Sequence, residues 1–184
     1  MAHFQKDGLW IQGGGGLMAQ VSEETPYVPG QVGKVLSAAS TDGKVPRFYQ
    51  YVKRYTTETL GALAGAPAYW QDCDDFVVTA DTATALGGTT NPVVAGVWLG
   101  TKPAAGYYGF IQVGGLATVA VTDTVLAGSN LISAPTTLQQ FIAVTILTTD
   151  INASIPIAAV ALSAVGTSTD STISAALRVF RNGW

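Results

Sequence analysis

The densest cluster of reactive side chains in this 184-residue chain is Asp72-Cys73-Asp74-Asp75, three carboxylates around the sole cysteine. Such carboxylates could ligate a hard cation such as calcium, which takes roughly six to eight oxygen ligands. No EF-hand-like spacing with a closing Glu follows, so an acidic, solvated turn is the favoured reading. The same carboxylates would hold the Cys73 thiol protonated, which argues against a nucleophile and for a small turn residue. The only histidine, His3, lies two residues from the start, where a His-based triad would need the chain end pinned in a cleft. Gly13 to Gly16 lack the Gly-Lys-Ser/Thr ending and the helix of a phosphate loop. Tyr49, Tyr51, Tyr55, Tyr69 and Trp70 could stack on a sugar, but at strand spacing such residues are more often core and rim. No acid pair stands out for glycoside hydrolysis. The residues therefore single out no active site and no full set of metal ligands.

Composition points the same way. Charged residues make up 11% of the chain, well below the roughly 25% of ordinary soluble domains. Surface hidden in an assembly would account for that, and so would a small β domain surfaced with Thr and Ser. The net charge of −3 argues against a nucleic-acid partner, which would call for a basic stripe. The charge is unevenly distributed. Residues 1–54 carry Lys6, Lys34, Lys44, Arg47, Lys53 and Arg54 against Asp7, Glu23, Glu24 and Asp42, while the remainder holds only Lys102, Arg178 and Arg181 against eight acids. A basic arm on an acidic body would suit docking on an acidic surface; a chance difference in a solvated segment is the alternative. A lone cysteine forms no internal disulfide, no sustained apolar stretch follows Met1, and the longest apolar run, Ile155 to Gly166, is too short to cross a bilayer and holds Pro156, so neither a secretory leader nor a membrane span is expected.

The elements that would position these residues are strands. Residues 1–46 are punctuated by Gly13 to Gly16, Pro26, Pro29, Gly30, Gly33, Gly43 and Pro46, and read as an extended N-terminal arm with one or two short strands. The arm's apolar residues Phe4, Leu9 and Trp10 would make sense packed on a neighbouring subunit or partner, or tucked back on their own domain. From Arg47 the texture changes. Residues 48–55 alternate aromatic and polar, and strands are expected at 68–70, 76–79, 95–100, 141–147 and 173–180, with a polar loop over 80–92. Two β-prone runs, Tyr108 to Val113 and Leu116 to Val121, flank Gly114-Gly115, and that pattern predicts a hairpin turning at the glycine pair. Residues 155–165 read as a buried strand, although their alanines also allow a helix. Strands at this spacing with Gly/Thr/Asn turns predict an all-β fold, a small β-sandwich or β-barrel-like domain over 47–184.

Several tracts taken in order resemble capsid cement (decoration) proteins of tailed bacteriophages. They are YWQDCDDFVVTAD (69–81), AGVWLG (95–100), YGFIQVGGLATVAV (108–121), LAGSNLI (126–132), IPIAAVALSA (155–164) and LRVF (177–180). The likeness covers Arg47 to Trp184, about three-quarters of the chain. It implies a non-enzymatic virion structural protein on the outer surface of the capsid, made in the host cytoplasm, that bridges neighbouring major capsid proteins. It further implies self-association, commonly as a homotrimer, with dimers also known, and no cofactor, nucleic acid or membrane partner. Under that reading Phe4, Lys6, Leu9, Trp10 and Lys34 of the arm are the candidate capsid interface. The alternative is a receptor- or glycan-binding head of a virion or surface fibre, using the Tyr/Trp set.

Overall fold

The computed structural model describes residues 4–5, 8–10, 30, 32–36, 46–58, 60, 63–89, 92–99, 103–122, 124–134, 139–144, 158–166 and 171–179. Among them every regular element is a strand: β1 Phe4–Gln5, β2 Gly8–Trp10, β3 Val32–Leu36, β4 Pro46–Arg54, β5 Pro67–Asp72, β6 Val77–Thr79, β7 Val94–Trp98, β8 Tyr108–Val121, β9 Asn130–Ser133, β10 Phe141–Val144, β11 Ala159–Ala161 and β12 Ser171–Arg178. The all-β, barrel-like expectation holds. Ala159–Ala161 is a strand, so the alanines of that tract line a sheet; residues 151–157, just before it, lie outside the described set.

One strand organises the molecule. The expected hairpin at Gly114-Gly115 does not form: β8 runs unbroken for 14 residues through the glycine pair. A two-residue hairpin turn of the commonest kind needs positive φ at both central residues. Here Gly115 alone of the pair adopts it, at 82°. The strand changes neighbours there without reversing. Upstream, residues 108–114 pair antiparallel with β4 and residues 111–112 with β7. Downstream, residues 114–121 pair antiparallel with all eight residues of β12. Gln112, buried at 4% exposure, holds this junction by donating from Nε2 to the carbonyls of Gly114 (3.2 Å) and Leu116 (2.8 Å).

Both ends of β8 sit in closed rings. The pairings β4–β6, β6–β5, β5–β7, β7–β8 and β8–β4 close a first five-stranded barrel, and β8–β10, β10–β9, β9–β11, β11–β12 and β12–β8 close a second. The second ring closes through a single residue pair between β10 and β8, Phe141 with Val121. Each ring has its own core. Val52, Ala66, Ala68, Val78, Ala80, Ala95, Trp98 and Ile111 fill the first. The second is packed by Ala117, Val119, Val121, Val125, Leu131, Phe141, Ala158, Ala159, Ala161, Ile173, Ala175 and Leu177, together with Val97 from β7. On β8 the core residues are Ile111, then Ala117, Val119 and Val121, with Val113 packed against the first cluster. All are odd-numbered, although the ladder with β4 skips Val113 at a bulge and Gly115 turns to positive φ, so the two interiors are reached from either side of an irregularity in β8.

The first barrel's wall is buried on its other face too. Tyr51 and Phe110 pair across β4 and β8, alternate in direction with Val52 and Ile111, and are each 1% exposed. Their rings are 5.0 Å apart, and Tyr108 stacks on Tyr51 at 5.8 Å beneath the Lys53 ammonium. The strands β1, β2 and β3 add outside this wall. Strand β3 pairs antiparallel with β4, β2 parallel with β3, and β1 antiparallel with β2.

Candidate functional site

The acidic turn joins β5 to β6. Asp72 turns its Oδ1 back to accept hydrogen bonds from the backbone N–H groups of Asp74 (2.9 Å) and Asp75 (3.2 Å). This is the side-chain turn that Asp makes in place of a backbone one. Its carboxylate is thereby committed to local geometry, and no group of three His, Cys, Asp or Glu among the described residues converges as metal ligands. Cys73 is exposed in the same turn. Partial burial first, then the neighbouring charges of Asp72 and Asp74, push its thiol upward in pKa, so the thiolate needed for nucleophilic attack is disfavoured. His3 lies outside the described residues.

The aromatic set divides. Tyr49, Tyr51 and Tyr69 are at most 2% exposed, whereas Tyr55 and Trp70 are half-buried. A shared stacking platform is thereby excluded for the three buried rings, and the expectation of core and rim residues describes them. Tyr69 on β5 reaches across to β9, its hydroxyl 2.6 Å from Ser133 Oγ. Ser133 Oγ also lies 3.2 Å from the Ala134 carbonyl, so the hydroxyl pair has an acceptor at its end. Burial pushes the Tyr69 phenol up to about 12. This bond ties the first barrel to the second.

Sequence reasoning missed the most elaborate polar group. Arg54, at the end of β4, pairs with Glu58 through Nε to Oε2 at 2.9 Å, with side-chain exposures of 9% and 0%. Arg54 Nη1 donates to the Pro103 carbonyl (2.9 Å) and Nη2 to that of Leu60 (2.5 Å). Glu58 Oε1 accepts from the Ala80 N–H at 2.6 Å. Burial raises the Glu58 pKa, outweighing the lowering by the Arg54 guanidinium and the Ala80 N–H. The pair ties four backbone segments together, with the hydrogen-bonding groups facing each other instead of solvent. Its signal in the sequence was an opposite-charge pair four apart in a chain poor in charge, without the helix that normally makes such spacing meaningful.

The arm residues sit on the added strands. Phe4 is on β1, Leu9 and Trp10 on β2 and Lys34 on β3; Lys6 is outside the described residues. Backbone register sets Phe4 opposite Leu9 and Trp10 opposite Lys34. Four of the five predicted residues thus come together in one three-stranded unit joined to β4.

No family model matches the chain, and no curated protein matches it. Among solved structures it is similar to the N base of the head fibre protein gp8.5 of bacteriophage phi29, at a TM-score of 0.42 and 11% identity, over 74% of this chain and 98% of that one. At that level of similarity the likeness assigns no function to this chain.

Proposed function

We propose that this chain is a bacteriophage virion structural protein that binds the exterior of the assembled capsid, bridges neighbouring major capsid proteins and has no catalytic role. One observation carries this reading: the candidate reactive side chains of the barrels bond within the scaffold, while a separate unit is attached to one wall strand. Arg54, Glu58 and Tyr69 bond within the scaffold, and Asp72 closes its own turn. The strands bearing Phe4, Leu9, Trp10 and Lys34 hang on one wall strand, β4, through β3. Residues 1–54 also hold most of the chain's cations. The ordered tracts that resemble cement proteins point to the same role.

A cement protein works by mass action: it binds the assembled shell and not its free subunits, so the shell becomes harder to dissociate. Repeated copies, each contributing modest contacts, add through avidity, and self-association as a trimer would supply that repetition. The cationic excess of the arm would speed encounter with an acidic capsid surface.

The test is to compare capsids assembled without this protein before and after adding it back. The expected results are saturable binding and a higher temperature for loss of shell integrity, both weakened by the Trp10→Ala and Lys34→Glu variants. A folded protein that neither binds nor protects capsids would overturn the proposal. The glycan-binding alternative has lost Tyr69 as a contact, because that ring is fully buried.

A further inference from the structure

Two positive-φ positions among the described residues meet each other. Phe76, the last residue of the acidic turn, has φ of 54°, a conformation that bulky side chains rarely adopt. Gly30, far upstream, has φ of 83°. A Cβ placed on Gly30 would fall 2.2 Å from Cζ of the Phe76 ring and 2.4 Å from both its Cε atoms, so the ring lies flat over the glycine. Trp70 backs the ring edge-on at 6.2 Å.

The backbone around Gly30 is tied to β4 as well. Its N–H donates to the Tyr51 carbonyl at 2.7 Å, and its carbonyl accepts from Gln50 Nε2 at 3.2 Å. The β3–β4 ladder sets Val32 opposite Gln50, so a regular continuation would carry residue 30 opposite Val52. The bond to Tyr51 is one residue out of that register. Gly30 therefore leaves the ladder and turns under Phe76. On the other side of the ring, the Phe76 carbonyl accepts from the Lys53 N–H at 3.0 Å. Both partners of the contact are thus anchored on neighbouring residues of β4, Gln50 to Lys53.

Topology gives this contact a purpose. Strands β2 and β3 are parallel neighbours, and β3 is the strand that joins both β2 and β1 to β4. Gly30 lies two residues before β3 begins at Val32. Whatever holds Gly30 sets the register of β3 on β4, and through β3 the placement of β2 and β1.

We propose that Phe76 and Gly30 form a clasp that docks the N-terminal segment onto the first barrel, with Trp70 as its backing and Gln50 as its second tie. The strained φ of Phe76 is kept because it aims the ring at the glycine; local strain that persists is held in place by its surroundings and gathers where a structure has a task for it. The clasp is a positioning device: it fixes where the arm leaves the scaffold. Its use in gripping a capsid rests on the function proposed above, but its existence does not.

Hydrogen exchange of the isolated full-length protein, followed by mass spectrometry, tests the clasp without any capsid. Phe76→Gly removes the ring and lets the backbone keep its positive φ without strain. The expected result is exchange over residues 30–36 faster by about tenfold or more, with residues 116–121 unchanged. Gly30→Ala, which is strained by its positive φ as well as by the ring, should do at least as much, and the double variant should be no worse than Gly30→Ala alone, because the contact is already broken there. Unchanged exchange over 30–36 in folded Phe76→Gly would overturn the clasp, as would additive effects in the double variant. If Phe76→Gly does not fold, Gly30→Ala decides, and unaltered exchange over 30–36 in that variant rejects the proposal. Capsid binding measured on the same variants is read separately: an open clasp with undiminished binding would leave the clasp standing and remove the arm from the capsid interface.

Discussion

The two barrels share a strand but are stabilised differently. The first encloses Trp98 and Ile111, buries Tyr51, Tyr69 and Phe110 against its wall, and contains the Arg54–Glu58 pair. The core of the second is Val, Leu, Ile and many alanines around one aromatic, Phe141, and no ion pair is found there among the described residues. Its strands make up in ladder length what they lack in bulk: β12 pairs with β8 over its full eight residues. Small side chains let strands approach with few voids, whereas large rings need room and polar cross-ties to hold surrounding loops against them. The first barrel also carries the added strands, on its β4 wall. Side-chain cross-ties are concentrated in the first barrel, while the second relies on its one long ladder between β8 and β12.

If that contrast is right, the largest loss should come from the first barrel's cross-tie. Glu58→Ala leaves Arg54 buried without its partner, a change that costs about 3–5 kcal/mol in comparable pairs. Urea unfolding should show that loss, and a fall below 1 kcal/mol would mean the pair is ornamental and the contrast false. Next is Ile111→Ala, expected to cost about 2–5 kcal/mol. Because β8 belongs to both rings, a single transition should persist when ring fluorescence and far-UV circular dichroism are compared. Two separated transitions would show that the barrels unfold independently. The smallest effect is conditional on pH. The Tyr69 phenol titrates near 10.0 when unfolded and about 12 when folded. Between those values the folded chain keeps a proton that the unfolded chain has lost, so stability falls as pH rises through the window. The loss approaches about 2–3 kcal/mol at its upper end. Tyr69→Phe should flatten that alkaline slope, and an unchanged slope would remove the inter-barrel bond from the comparison.

Much of the strand content was legible because it rests on local alternation: residues 48–55, 68–70 and 95–100 hold to a two-residue period or a dense β-branched and aromatic run, and β4, β5 and β7 occupy them. The acidic turn was legible for the same reason, since Asp72 bonds within three residues. What failed was the glycine pair. A β-run, two glycines and another β-run describe a hairpin and a strand that changes partners equally well, and the difference lies in β4, β7 and β12, which are distant in sequence. The Tyr69–Ser133 bond spans 64 positions and left no local trace. Arg54 and Glu58 were visible only as charges, because the partners that give them meaning, Pro103 and Ala80, are brought close by the closed ring. The clasp was equally hidden: Gly30 looked like punctuation, and nothing near it in sequence pointed to Phe76.

The unbroken run of β8 also sets the molecule's tolerance to length changes. Since Ile111, Val113, Ala117, Val119 and Val121 all face inward on one parity, the strand acts as a shared reading frame for two interiors. One residue inserted at Gly114-Gly115 would leave the first barrel as it is and turn every later side chain of β8 inside out, setting Leu116, Thr118 and Ala120 toward the second core. Two inserted residues would restore the parity and displace only the ladder with β12. Odd and even insertions at one glycine pair would therefore differ more from each other than a short insertion differs from a long one.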